Sequence, residues 1–121
     1  MTERRQGQWQ CGDDESGQGG TSVYDDLDDL AHRFQAVRQA HEAPGPEPAS
    51  AKLREETEEF LAATDPKERL AEGADVVIAV TQLLLDDGHT VSDLLNAVRG
   101  KFIANIGRTW VLREDGMIHH A

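Results

Sequence analysis

The sequence contains two pairs of carboxylates whose spacing suits one face of a helix. Glu56 and Glu59 are three residues apart, and so are Glu72 and Asp75. Residues three apart are neighbours on a helix surface, so two consecutive helices can bring all four carboxylates together where they cross. Hard divalent cations prefer oxygen ligands, and Mg²⁺ is usually held by a few carboxylates together with substrate phosphates. We interpret these four residues as a candidate metal-binding and catalytic site.

An acidic face turned to solvent is the simpler explanation of either pair alone. The apolar pattern argues against it, because Glu56 lies on the stripe that carries Leu53 and Phe60, and Asp75 opens the run DVVIAV. We expect both carboxylates to be shielded from solvent, where a charge without a partner is costly. A di-iron carboxylate bundle is the rival site, but no histidine follows any of these acids by three residues.

A basic stripe near the end of the last predicted helix is a candidate phosphate-binding element. Lys101, Asn105 and Arg108 are spaced by four and three residues, next to Trp110. Lysine and arginine neutralise phosphate oxygens, and asparagine adds a donor and an acceptor. The alternative is that these bases only complement the helix dipole.

The elements that position these residues are predicted to be helices. Apolar residues recur every three or four positions from Thr21 to His41, with Ser22 as a cap. The proline-rich stretch 42–50 is predicted to be a loop, followed by a second helix through KLREETEEFLAAT. The apolar face of the first helix is predicted to comprise Val23, Leu27, Leu30, Ala31, Phe34 and Val37.

Two further helices are marked by strong start signals. Asp65 is the predicted cap of a third helix from Pro66 to about Asp86, which is apolar nearly all round and is the candidate central element. Thr90 caps a fourth, VSDLLNAVRGKFIANIG, with Val91, Leu94, Leu95, Val98, Phe102 and Ile106 on one face. The last fourteen residues contain a turn signal at Asp115-Gly116 and predict a small hairpin or an extended arm.

Composition limits the class of protein. The chain has 121 residues and a formal net charge of −11, which disfavours nucleic-acid or anionic-membrane partners because both need a basic surface. Its length fits one domain, predicted at 21–121, after a flexible polar tail at 1–20 in which Trp9 is the only large apolar residue. The single cysteine excludes an intrachain disulfide, and we expect a cytoplasmic protein without a membrane span.

The segments KLREETEEF, ERLAEGADVVIAV and KFIANIGRTW resemble the all-α nucleoside triphosphate pyrophosphohydrolase superfamily in its MazG-like branch. The signature of that family is ExxE followed by ExxD, and here twelve residues separate the two pairs. The downstream Lys, Asn, Arg and Trp, with a late Asp-Gly before histidine, are most similar to the phage and bacterial dATP/dGTP pyrophosphohydrolases, including the MazZ type. The resemblance covers about residues 27–120.

The resemblance implies a function and roles for individual residues. The activity would be Mg²⁺-dependent, with Mn²⁺ as a substitute, and would convert a (deoxy)nucleoside triphosphate, such as dGTP or dATP, to the monophosphate and pyrophosphate. Glu56, Glu59, Glu72 and Asp75 would bind the metal and Lys101, Asn105 and Arg108 the phosphates. Glu55 and Trp110 would be accessory residues. A homodimer or homotetramer would complete a four-helix bundle, in the host cytoplasm if a phage encodes the chain.

Two alternatives remain open from the sequence. One is the related phosphoribosyl-ATP pyrophosphohydrolase, which has similar acids but matches NIGRTW less well. The other is a non-enzymatic acidic helical protein that binds a partner through its carboxylates. The first helix ends in RQAHEAPGPEP, which departs from the usual aromatic, glycine-containing end in the family and leaves the preferred base open.

Overall fold

The computed structural model describes residues 22–121 as a helical domain that ends in a short hairpin. The helices are α1 (Val23–His41), α2 (Glu47–Ala62), α3 (Pro66–Asp86) and α4 (Val91–Gly107). Strands β1 (Trp110–Leu112) and β2 (Ile118–His120) follow them and pair antiparallel. The predicted all-α fold is confirmed. The prediction of a flexible tail, including Trp9, concerns residues that lie outside the described range.

The predicted helix caps are present. The side chain of Ser22 accepts a hydrogen bond from the backbone N–H of Asp25 at 3.0 Å, and Asp65 accepts one from Glu68 at 3.1 Å. At the start of α4, Thr90 accepts from the Asp93 backbone while the Asp93 carboxylate accepts from the Thr90 N–H. These bonds satisfy N–H groups that have no partner within the helix.

The predicted start of the second helix was wrong. The loop is shorter than 42–50, because α2 begins at Glu47, directly after Pro46. Pro48 then lies in the first helical turn, where the missing N–H removes no helical hydrogen bond and the fixed φ suits the helix. The clustered prolines therefore indicate the beginning of this helix and not a loop that continues to residue 50.

Helix α3 is the central element, since it packs against α1, α2 and α4. The enclosed apolar residues are nevertheless few and small: Ala49, Ala63, Ala79, Leu85 and Val91. The predicted apolar faces of α1 and α4 stay largely open, with Phe34 45% and Phe102 64% exposed. In residues 22–121 the bundle is thus incompletely covered. No helix in this range has the length and apolar character needed to cross a membrane.

A polar brace fastens the end of α1 to α3. Arg38 donates to both carboxylate oxygens of Asp86, at 2.8 and 3.4 Å, and to Gln82 at 2.8 Å. Gln35 donates to Asp86 at 3.0 Å. The Arg38 side chain is only 10% exposed, so these bonds are partly shielded from water.

Replacing Asp86 by asparagine is expected to lower the free energy of unfolding by about 1–2 kcal/mol at pH 7, given the partial exposure of this carboxylate. Hydrogen bonds from Arg38 lower the pKa of Asp86 and outweigh the opposing effect of burial. The stabilisation should therefore be complete above the ordinary Asp pKa and be lost as pH falls through the lowered folded-state pKa. Urea unfolding at several pH values tests this, with the exposed neighbour Asp87→Asn as the control. A difference between Asp86→Asn and the wild type that does not shrink as pH falls below the ordinary Asp pKa would contradict the brace.

The last residues of the chain form a hairpin. Of the two predicted forms, the hairpin is the one observed, and the extended arm is not. Trp110 pairs with His120 and Leu112 with Ile118, and Ala121 donates from its backbone to Thr109 at 3.1 Å. Gly116 closes the turn with φ +81°, a conformation that glycine adopts without strain.

Candidate functional site

Three of the four predicted metal ligands converge where α2 crosses α3. Glu56, Glu59 and Glu72 each place one carboxylate oxygen so that all three oxygens lie within 4.8 Å of one another. This set, here called the acidic cluster, is a grouping of hard oxygen donors of the kind that Mg²⁺ and similar ions use.

Glu56 is the buried member of the acidic cluster. The residue is 7% exposed, as its position on the apolar stripe predicts. Its Oε2 accepts from Lys52 Nζ at 3.0 Å, whereas Oε1 has no hydrogen-bond partner in the described part of the chain. Leaving a buried carboxylate oxygen unsatisfied is costly, so this atom fits a site completed by a cation.

The other two members show the electrostatic strain of the cluster. The pKa of Glu59 is raised mainly by its hydrogen bond to Glu56 and by the negative charge there. Partial burial raises the pKa of Glu72, and the charge of Asp75 adds to that effect. Lys52 acts in the opposite direction and lowers the pKa of Glu56. A divalent cation would relieve this repulsion, because it favours the ionised form of every member.

Gly73 allows the two helices to meet closely beside Glu72. A Cβ atom at this position would lie 3.3 Å from Cε1 of Phe60 on α2, which is tighter than ordinary contact. The absence of a side chain therefore helps to bring Glu72 toward Glu56 and Glu59. Spacing within a single helix does not reveal this contact, although the glycine directly after Glu72 is its sequence signal.

The predicted burial of Asp75 was wrong, because its side chain is exposed and lies outside the acidic cluster. The physical reason is that this face of α3 borders an open cavity rather than a packed neighbour. Asp75 lines that cavity together with Glu56, Val77 and Ile78, and both apolar residues are about half exposed. Asp75 remains close enough to Glu72 to affect its pKa.

The cavity, of about 570 Å³, extends from the acidic side of α2 and α3 to α1 and α4. Its walls are mostly apolar, with Leu27, Phe34 and Leu94 among them. A few polar side chains lie between these walls. A concave apolar surface with a small number of polar groups is the usual form of a small-molecule site.

Lys52 is a site residue that the sequence reasoning missed. Its ammonium lies 3.0 Å from Glu56 and 3.3 Å from Glu55, and it lines the cavity. The signal was its position four residues before Glu56, which puts both on one helix face. Glu55, the predicted accessory acid, is exposed and lies outside the acidic cluster.

The basic stripe lies elsewhere. Lys101, Asn105 and Arg108 do not line the cavity, and within residues 22–121 α4 packs against α1 and α3 but not against α2. Arg108 instead donates to Asn105 at 3.1 Å and lies 2.7 Å from His120 Nε2. Trp110, the other predicted accessory residue, donates to the Asn105 carbonyl at 2.7 Å. A single copy therefore does not bring the stripe to the acidic cluster.

Comparison with known proteins finds one structure similar to this geometry. No protein-family model matches the chain, and no curated protein matches it. Its structure is similar to that of the MazG-like pyrophosphohydrolase of cyanophage S-2L, which is bound to dGDP and three catalytic Mn²⁺ ions per active site. The TM-score is 0.59 and the identity 25%, over 84% of this chain and 99% of the other. This likeness in fold, together with acids that converge from two neighbouring helices, supports the resemblance to the MazG-like branch of the all-α nucleoside triphosphate pyrophosphohydrolases.

Proposed function

We propose that the protein is a Mg²⁺-dependent pyrophosphohydrolase that cleaves (deoxy)nucleoside triphosphates to the monophosphate and pyrophosphate. The observation that carries this proposal is the acidic cluster, in which a buried oxygen of Glu56 has no hydrogen-bond partner among residues 22–121. We further propose purine deoxynucleotides such as dGTP and dATP as preferred substrates, because the similar phage enzyme is bound to dGDP. The proposed location is the cytoplasm.

In this proposal Glu56, Glu59, Glu72 and Asp75 hold the metal, which Mn²⁺ can replace. Asp75 lies at the cavity beside Glu72 and is the natural fourth ligand, although it is not within the acidic cluster itself. When bound, the ion neutralises phosphate oxygens and lowers the pKa of attacking water. The carboxylates fix its position, and the apolar wall of the cavity limits the access of bulk water.

Charge balance assigns a role to Lys52. A triphosphate is strongly anionic and the protein itself has a net charge of −11, so local cations must offset the repulsion. Lys52 is 57% exposed at the cavity and is held by Glu55 and Glu56. Lys52 binds Oε2 of Glu56 and leaves Oε1 to a cation, so its ammonium would lie beside the metal site, where it could contact a phosphate oxygen.

A homodimer or homotetramer is part of the proposal. Large apolar side chains outside the cavity are exposed on α1 and α4, among them Val37, Phe102 and Ile106, which is unusual for a soluble monomer. The predicted phosphate contacts of Lys101, Asn105 and Arg108 also need a second copy, since the stripe does not reach the acidic cluster in one chain. We therefore propose that this stripe acts on the site of a neighbouring copy.

Mixing two impaired variants tests action between copies. Glu56→Gln and Lys101→Ala should each lose activity alone and regain part of it after joint refolding, because a mixed oligomer contains a site with both intact residues. Failure to regain activity, with mixed oligomers confirmed by mass, would contradict action in trans. Normal activity of Lys101→Ala alone would remove the stripe from the site.

A nucleotide panel tests the function directly. The protein is incubated with eight NTPs and dNTPs and with phosphoribosyl-ATP, in Mg²⁺ or Mn²⁺, and the products are identified. Monophosphate and pyrophosphate from a deoxynucleoside triphosphate are expected. Turnover of phosphoribosyl-ATP alone would replace the proposed substrate, and no turnover of any compound at high enzyme concentration would refute the activity.

A further inference from the structure

One polar group on the floor of the cavity is held in a fixed orientation. Gln82 is 3% exposed and lines the cavity from α3. Its Oε1 accepts from Arg38 at 2.8 Å, and its Nε2 donates to the Ala31 carbonyl at 3.0 Å. Since a guanidinium only donates and a carbonyl only accepts, these partners determine which end of the amide is oxygen.

Arg38 is a positioning residue rather than a ligand-binding one. It donates to Gln82, twice to Asp86, and twice to Glu42 at 3.2 and 3.3 Å. A guanidinium has five N–H groups, so these bonds use all of them. Gln82 is different, because a primary amide has two N–H groups and two oxygen lone pairs. Within residues 22–121, one donor and one acceptor of this amide have no partner and remain for a ligand in the cavity.

The position of Gln82 relative to the acids matches a nucleotide. Gln82 follows Asp75 by seven residues on α3, so both lie on one face about two turns, or roughly 10 Å, apart. Both residues line the same cavity, with apolar side chains such as Leu30 and Ile78 also in its lining. If phosphates bind at the acidic end, the nucleoside extends along the apolar wall toward Gln82.

On this basis, and resting on the proposed function, we propose that Gln82 is the residue that distinguishes nucleobases. The amide pairs its remaining donor and acceptor with the edge of a base enclosed by the apolar wall. A base with the matching acceptor and donor is bound, whereas a base with the opposite pattern leaves a buried amide group unpaired, which lowers its turnover. The brace between α1 and α3 holds the side-chain amide of Gln82 in place.

The test compares kcat/KM for the four dNTPs in the wild type, Gln82→Met and Gln35→Met. Gln35 belongs to the same brace but does not line the cavity, so it is a matched control. Gln82→Met should lower kcat/KM for the preferred nucleotide by roughly three- to tenfold, as expected for the loss of one net hydrogen bond. It should also reduce the ratio of kcat/KM between the best and the worst of the four dNTPs. Gln35→Met should keep that ratio. Gln82→Glu, which still accepts from Arg38, serves if Gln82→Met does not fold.

Each other result overturns the inference. If Gln82→Met lowers kcat/KM equally for all four nucleotides and also lowers the melting temperature, Gln82 has only a structural role in the brace. A changed oligomeric mass with the same ranking means that a second copy fills the cavity, and a wild type that does not discriminate leaves nothing for Gln82 to read. The proposed function survives all of these results, whereas a wild type that hydrolyses no nucleotide refutes both proposals.

Discussion

Replacing Glu56 by glutamine is expected to abolish nucleotide hydrolysis while leaving the fold intact. The side chain is buried, and glutamine has nearly the same shape, so packing is preserved. The change removes a negative charge from a cluster in which neighbouring carboxylates repel one another. Loss of an outer partner of a metal ligand typically costs roughly 10- to 100-fold in affinity or activity, so loss of a ligand should exceed about a hundredfold.

The matched control is Glu58→Gln, which changes an exposed carboxylate on the same helix outside the acidic cluster. This variant should retain kcat/KM within about twofold, since surface substitutions away from a site rarely matter. Both variants should unfold near the wild-type temperature without metal. Near-normal turnover of Glu56→Gln at low Mg²⁺ would show that the buried carboxylate is not a ligand.

Local sequence signals predicted the starts of three helices correctly. Ser22, Asp65 and Thr90 each precede an apolar periodic segment, and each accepts the expected backbone hydrogen bond. Such caps act within one turn, so sequence alone identifies them. Local signals did not predict the start of α2 at Glu47, because a proline such as Pro48 is common both in the first turn of a helix and in a loop.

The candidate site was predictable in residue type and only partly in position. Spacing identified Glu56, Glu59 and Glu72, because residues three apart on a helix share a face whatever the tertiary fold. The exposure of Asp75 was not predictable, since it depends on which faces of α3 have a neighbour. The separation of Lys101 from the acidic cluster depends likewise on how α4 packs. Helical periodicity shows which face is apolar but not what covers it.

A divalent metal bound together with a nucleotide is expected to stabilise the protein strongly. The acidic cluster keeps one oxygen of each of three carboxylates within 4.8 Å of one another, and the hydrogen bond to Glu56 with the negative charge there raises the pKa of Glu59. The unfolded chain separates these groups, so an ion binds the native state preferentially. At a free metal–nucleotide concentration of 100 Kd, mass action contributes about 2.7 kcal/mol. For a domain of this size that corresponds to a rise in Tm of roughly 10–20 °C.

Thermal unfolding with Mg²⁺ or Mn²⁺ and a non-hydrolysable deoxynucleoside triphosphate measures this rise, and excess chelator should reverse it. Glu56→Gln provides the specific control, because it removes the charge of the buried carboxylate and keeps every charge on the surface. Its Tm should respond little, whereas Glu58→Gln should respond like the wild type. Non-specific binding of cations to an acidic protein of net charge −11 predicts instead equal shifts in all three proteins. Salt separates the two causes further, since screening weakens diffuse attraction between exposed charges far more than coordination at a partly buried site. Equal shifts that vanish in high salt would therefore show that the acidic cluster is only a charged surface.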